Sequence, residues 1–320
     1  MKVLLVNTKG GGHAFLGLHL AKALMSAGHQ VTIMNDGDKE KLAQKPWIAQ
    51  YKVLEQEGAT IVWGSPTDPS TYPTGSFDVV CDNNGKDMET CQPLIDHFKG
   101  KGGVQHYIYI SSAGMLKTNT MEPILCEDDP RNEKAHYFVE EYLKDQDLPY
   151  TVFRPQYLYG PYTSKDSHHW FMDRILRGRP VYLPQGTAMT LASLSHIEDM
   201  ATLVASVLGN PEAVRQVFQM SSGRGVTFEG ICAAIAKTAG VDYTIMYYDP
   251  KKISLARGEG VPFRTTHFIT ANNKARVVLD FKPQHTFLGD VAAELADYKA
   301  QGRMDKEVDF SVDDKIAATL

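Results

Sequence analysis

Short β-branched runs alternate with helical patterns through the first half of the chain, and nothing else in the sequence narrows its fold so far. The runs are Val3 to Val6, Val31 to Met34, Thr60 to Trp63, Asp78 to Cys81, Tyr107 to Ile110 and Tyr150 to Phe153. Strands separated by helix-length segments make parallel sheets, because a parallel neighbour is reached only through a long crossover. The first helix is expected from about Ala14 to Ala27, with Phe15, Leu16, Leu20, Leu24 and Met25 on its packing face and Gly28 as its C-terminal cap. The predicted fold class is therefore α/β, a Rossmann-like doubly wound parallel sheet, with a smaller C-terminal lobe.

The lobe is expected where the pattern loosens after Pro155, at the turn signals Gly160-Pro161, Gly178-Arg179-Pro180 and Pro184-Gln185-Gly186. Helices are read at Trp170 to Arg177, Ile197 to Gly209 and Phe228 to Ala239, the last ended by Gly240, and a strand at Val217 to Met220. These place the sheet core at 1–155 and 187–222 and the smaller lobe at 156–186 and 223–320. No internal repeat is visible.

Charge excludes one broad class of function. Lys and Arg number 33 against 38 Asp and Glu, a balance of −5, so the molecule is no bulk polycation and any nucleic-acid site must be a local patch. No apolar run approaches the roughly 18 residues of a membrane span, and Met1 leads straight into a strand without a signal or transit peptide. Cys81, Cys91, Cys126 and Cys232 form no C-x-x-C pair and read as small buried hydrophobes of a reducing compartment.

Between the first strand and helix lies Asn7-Thr8-Lys9-Gly10-Gly11-Gly12-His13-Ala14-Phe15-Leu16-Gly17. This is where a dinucleotide fold brings backbone N–H groups against a pyrophosphate. Gly11, Gly12 and Gly17 are the candidate cofactor-binding glycines, but Ala14 stands where the middle glycine of the fingerprint belongs. At the end of the second strand Asn35 takes the place of the ribose-binding acid, leaving Asp36 one residue later as its substitute. NAD(P) binding is expected to be weak or vestigial.

Four later segments, in order, carry a resemblance: Tyr109-Ile110-Ser111-Ser112-Ala113-Gly114, Phe153-Arg154-Pro155 through Tyr159-Gly160-Pro161, Ser195-His196-Ile197-Glu198-Asp199, and Asn273 through Pro283. They resemble the extended short-chain dehydrogenase/reductases. Within that superfamily, Gly11-Gly12-His13-Ala14, Asp82-Asn83-Asn84-Gly85-Lys86-Asp87, Trp170-Phe171-Met172-Asp173-Arg174 and Asp313-Asp314-Lys315-Ile316 are similar to the chloroplast stem-loop-binding protein family. The resemblance implies a plastid RNA-binding protein of the stroma and a divalent-metal-dependent endoribonuclease for stem-loop RNA. It further implies association with ribosomes and with a sister paralogue, in homo- or hetero-oligomers.

Conventional redox chemistry is not expected. A dehydrogenase of this superfamily sets Tyr and Lys one helical turn apart so that the ammonium lowers the phenol pKa. Here Asn132 aligns with the Tyr and His136 with the Lys, and Asn cannot ionise. Tyr247-x-x-x-Lys251 and Tyr248-x-x-x-Lys252 are chance matches, since Pro250 interrupts any helix there. Ser112 reads as a turn or cap residue. Adjacent His168 and His169 are expected to point apart and to chelate poorly.

For RNA, residues 251–283 hold seven basic residues against Glu259 and Asp280. Lys251, Lys252 and Arg264 from this stretch, with Arg174, Arg177 and Arg179, are the candidate phosphate contacts, and Phe263, His267 and Phe268 the candidate stacking surfaces. For cleavage, Asp82 and Asp36 are the candidate catalytic carboxylates at strand ends, and Asp82 with Asp87 the candidate ligands of Mg2+. The alternatives are an RNA-stabilising or ribosome-associated scaffold that cuts nothing, and an NAD(P)-dependent epimerase or reductase.

Overall fold

Successive residues of the first strand feed two different cores. Val3 and Leu5 belong to the hydrophobic cluster on one sheet face, Leu4 and Val6 to that on the other, and all four are buried. A strand covered on both sides reads as an unbroken apolar run because its period-two alternation is apolar at both phases. The computed structural model describes residues 1–7, 14–36, 39–42, 46–100, 103–119, 121–162, 167–256 and 258–320.

Seven parallel strands form the sheet: β1 (Lys2–Val6), β2 (Gln30–Asn35), β3 (Thr60–Trp63), β4 (Val79–Asp82), β5 (His106–Ile110), β7 (Tyr150–Pro155) and β12 (Gln216–Met220). Their order is β12-β7-β5-β4-β1-β2-β3, so the sheet reverses direction of growth beside β1, where such folds open a crevice at the carboxyl ends. Every strand read from the alternation is present within one or two residues at each end.

On one face α1 (Ala14–Ser26) packs against α7 (Ile197–Ala205) and α3 (Pro46–Gln56), burying Leu16, Leu20, Leu24, Met200 and Leu203. On the other, α4 (Met88–Gly100) meets α5 (His136–Asp145) through Leu94, Ile95, Val139 and Leu143. The short α2 (Lys39–Leu42) precedes α3. Gly28 takes φ +81°, the left-handed conformation expected of a helix-ending glycine.

A second large apolar cluster gathers Phe171, Val181, Phe228, Ile231, Phe287 and Tyr298. It is built by α6 (His169–Ile175), α8 (Phe228–Ala239) and α10 (Phe287–Ala300), with α9 (Asn273–Val278) packed on β12 instead. Four two-stranded pairs surround it: β6 (Ile124–Leu125) with β15 (Ile269–Thr270), β8 (Tyr157–Tyr159) with β11 (Leu194–His196), β9 (Val181–Pro184) with β14 (Ile245–Tyr248), and β10 (Leu191–Ala192) with β13 (Val226–Thr227). The last helix, α11 (Ser311–Ala317), docks Ile316 against Tyr182 and Tyr248.

Three of the four cysteines are buried as expected; Cys126 is exposed instead, at the loop that follows β6. No helix among the described residues is long and apolar enough to cross a membrane.

Candidate functional site

The carboxyl ends of β1, β2 and β4 are tied together by uncharged groups. Asn7 donates through Nδ2 to the Tyr51 hydroxyl at 2.8 Å and accepts from Asn83 Nδ2 at 2.8 Å, while Tyr51 donates to Asn35 Oδ1 at 3.1 Å. Gly17 makes this possible: a Cβ there would stand 2.2 Å from Asn7 Cγ. The third glycine of the loop is thus a close-approach residue between helix and strand, the role the fingerprint gives it. Gly11 and Gly12 lie outside the described residues.

Asn35, in the place of the ribose-binding acid, is buried with its Oδ1 held by Tyr51. Its Nδ2 has no hydrogen-bond partner among the described residues. An inward amide donor at this place suits a ribose hydroxyl without discriminating as a carboxylate would. Asp36 is partly exposed at the strand end.

Asp82 lies deeper than the sequence suggests. It is 0% exposed, accepts the Tyr107 hydroxyl at 2.8 Å and the Asn84 backbone N–H at 3.1 Å, and burial raises its pKa to about 7. Asp87 accepts from the backbone N–H and hydroxyl of Thr90, fixing the first turn of α4. Asp36, Asp82 and Asp87 are not among the described groups of three His, Cys, Asp or Glu side chains whose ligand atoms lie within 4.8 Å of one another. Mg2+ favours several oxygens and retained waters.

The two residues aligned with the proton-transfer pair of a dehydrogenase do not stand together on one helical turn. Asn132 precedes α5 and its side-chain amide is bonded to the Met115 carbonyl at 3.1 Å, so it does not share a helical turn with His136. His136 Nδ1 lies 2.7 Å from the Tyr109 hydroxyl, and burial lowers its pKa to about 4, leaving it neutral at physiological pH. Ser112 caps the short helical turn at Ala113–Met115, as expected.

One turn beyond His136, Glu140 is fully buried and accepts bidentately from Arg154 (3.0 and 2.6 Å), from Ser111 (2.6 Å) and from Arg131 (3.0 Å). This cluster clamps α5 to β5 and β7 where a substrate-polarising apparatus would sit, and four donors satisfy the carboxylate internally. Its only trace in the sequence is an Arg in a mostly apolar strand.

The arginines expected to meet RNA are turned inward. Arg174 is 4% exposed, donates to Asp313 at 2.6 Å and lies 3.6 Å over the Trp170 ring. Arg177 is held by the Tyr298 hydroxyl and by the carbonyls of Arg303, Met304 and Lys306. Arg179 pairs with Asp314 at 2.5 Å and stacks on Phe310. Together they bind α11 and the segment before it, which buries Arg174 and leaves Arg177 and Arg179 partly exposed. Arg264 donates to the carbonyls of Gly114 and Leu116 and lies over Phe268. Phe263 and Phe268 are core residues, and His267 accepts from the Leu191 N–H. Only Lys251 and Lys252 of the six expected phosphate contacts are exposed.

Beside these lysines is a feature that sequence reasoning passed over. Tyr247, 41% exposed, and Met189, 64% exposed, line a shallow pocket of about 390 Å³ with Gln185, Gly186 and Ala188. An aromatic four residues before a lysine pair was its only trace in the sequence. A second cleft of about 330 Å³ opens between Ser222, Arg224, Val226 and the start of α10 at Thr286 to Leu288.

His168 and His169 also depart from expectation. Their ring centroids are 4.4 Å apart, because both imidazoles turn into the space between the start of α6 and α10, where His168 meets Glu294 and His169 meets Tyr298.

Several known proteins are similar to this one. Residues 11–170 match the NAD(P)H-binding family. The chloroplast stem-loop binding protein of 41 kDa b from Arabidopsis thaliana is 32% identical over 315 residues, 96% of this chain and 82% of its own length. UDP-glucuronic acid 4-epimerase from Bacillus cereus superposes with a TM-score of 0.70 at 18% identity, over 94% of this chain and 99% of that one. UDP-glucose 4-epimerase from Thermotoga maritima gives 0.67 at 19%, with the same coverage. At those identities the epimerases share the fold alone. The sheet order, the NAD(P)H-binding family match and the likeness to the Arabidopsis protein over 96% of this chain together make it a member of the chloroplast stem-loop binding protein family, within the extended short-chain dehydrogenase/reductases.

Proposed function

We propose that this protein binds stem-loop RNA in a plastid, using the face that carries Tyr247, Lys251 and Lys252. The observation that carries the proposal is an exposed aromatic on a shallow pocket with two exposed lysines in the turn just beyond it. Unpaired bases stack on such rings and cations follow the adjoining phosphates. The name of the Arabidopsis relative supports the ligand and the compartment; the stroma, the ribosome and the sister paralogue follow from the family resemblance.

Filter binding to a labelled stem-loop RNA across a salt series tests this. Tyr247→Ala should weaken binding by about 1–3 kcal/mol, the worth of one stacked base. Lys251→Ala with Lys252→Ala should reduce the salt slope by roughly 1.4, at about 0.7 for each single-strand phosphate contact. Unchanged affinity and slope in both would remove this face from the interface.

The finer reading is Mg2+-dependent cleavage of the bound RNA, supported by the family resemblance and not by an assembled carboxylate site. The same reactions with Mg2+ or EDTA check it: cutting should require the ion, and cutting that persists in EDTA discards the metal requirement. Asp82→Asn run alongside decides whether that buried carboxyl takes part. Binding without cutting would favour an RNA-stabilising or ribosome-associated scaffold.

A second reading, retained NAD(P) binding, is favoured by the unsatisfied Asn35 Nδ2 at the end of β2. Equilibrium dialysis with NAD+ and NADP+ on wild type and Asn35→Leu tests it. Binding that is absent, or indifferent to Asn35, overturns it.

A further inference from the structure

We propose that His168, His169 and Glu294 form a buried site for a borderline transition-metal ion, zinc being the best fit, that staples the start of α6 to the middle of α10. The ligating atoms of the three side chains lie within 4.8 Å of one another and all three residues are buried. His168 Nε2 already faces Glu294 Oε2 at 2.7 Å. The site is separate from the RNA face and from Asp36, Asp82 and Asp87.

The chemistry of the donors selects the ion. Two imidazole nitrogens and one carboxylate oxygen suit zinc, which accepts mixed N and O ligands, and do not suit Mg2+, which favours oxygen. Ligands about 2.0–2.2 Å from a tetrahedral zinc stand roughly 3.4 Å apart, so atoms already within 4.8 Å of one another close on the ion with side-chain shifts of about 1 Å. The two ring planes cross at 70°, which lets their edges converge on one point.

The surroundings resemble the apolar shell of a metal site. Phe287 packs edge-on against His168 at 5.7 Å, and Tyr298 against His169 at 5.1 Å. Glu294 and Tyr298 are one turn apart on α10 and so present the same face to the two histidines. A hydrophobic wall of this kind limits water and fixes ring orientation.

A neighbouring trio, His196, His285 and Asp290, also lies within ligand distance, and it is the poorer site. Its imidazoles are stacked face to face at 3.7 Å and 13°, so their in-plane lone pairs run parallel and cannot meet at one ion without unstacking. His196 Nδ1 moreover accepts the Glu198 N–H at the start of α7.

The test is calorimetric titration of zinc chloride into the full chain after EDTA treatment and exchange, with bound metal counted by mass spectrometry. Wild type should take one zinc per chain, undisplaced by excess Mg2+. Glu294→Gln and His169→Gln should each weaken binding by more than the roughly 10–100-fold typical of losing an outer-shell partner, and His285→Gln should leave it unchanged. Should the buried variants fail to fold, X-ray absorption of zinc-loaded His285→Gln keeps the question open to refutation: it should show two imidazoles and one carboxylate at about 2.0–2.2 Å. No zinc in wild type, loss in His285→Gln, or an all-oxygen shell would overturn the proposal.

Discussion

The Asn7 side chain occupies the space that a methyl group on Gly17 would need, with Asn7 Cγ 2.2 Å from the position of such a Cβ. Helix α1 can lie this close to β1 only because residue 17 has no side chain. Gly17→Ala should therefore destabilise by about 1–3 kcal/mol through overpacking, despite the intrinsic gain of Ala in a helix. The same change made in an Asn7→Ala background should cost clearly less, so the two sites should be non-additive in urea unfolding. Additive losses would mean that the contact is not the cause.

The arginine cluster makes a second prediction, opposite in kind to the phosphate-binding role that its spacing suggests. Arg174→Ala leaves Asp313, 0% exposed, as an unpaired buried charge. A loss of about 3–5 kcal/mol is expected in urea unfolding. Arg179→Ala breaks a pair whose Asp314 side chain is 69% exposed, and about 0–1 kcal/mol is expected. Folded Arg179→Ala should bind stem-loop RNA as wild type does; a drop in its salt slope would return that residue to the interface.

Asp82 gives a pH dependence whose sign can be stated in advance. Burial holds its folded pKa at about 7, above its ordinary value near 3.8, so between those values the folded chain binds the extra proton. Its contribution is fully present below about pH 4 and is lost as pH rises through 7, by at most about 1.4 kcal/mol per pH unit of that window. Asp82→Asn keeps an acceptor for the Asn84 N–H and can donate to the Tyr107 oxygen. Its unfolding midpoint should exceed that of wild type more at pH 8 than at pH 5. Parallel pH profiles would show that this carboxyl is not the titrating group.

What could be read from the sequence divides along the range of the interactions. The sheet strands were legible because each is a short β-branched run buried on both faces, a local property. The absence of a Tyr–Lys pair was equally legible, since it depends on residue identities four positions apart. The arginines were not, because their partners Asp313 and Asp314 lie about 135 to 139 residues downstream, and a charge cluster looks the same in sequence whether it faces water or a distant carboxylate. The two adjacent histidines were misread because backbone periodicity fixes where a side chain starts and not where its ring ends. Asp82 was legible as a strand-end residue, but not the Tyr107 hydroxyl from the neighbouring strand that covers it.

The grip of Arg174 and Arg179 on α11 also orders events during synthesis. Asp313 leaves the ribosome 139 residues after Arg174, and at the 5–20 residues per second typical of translation that interval is on the order of ten seconds. Until then the Arg174 guanidinium has no carboxylate to follow it into the interior and must remain hydrated. The N-terminal sheet can assemble while the chain is still being made, but Arg174 and Arg179 gain their carboxylate partners only when α11 arrives.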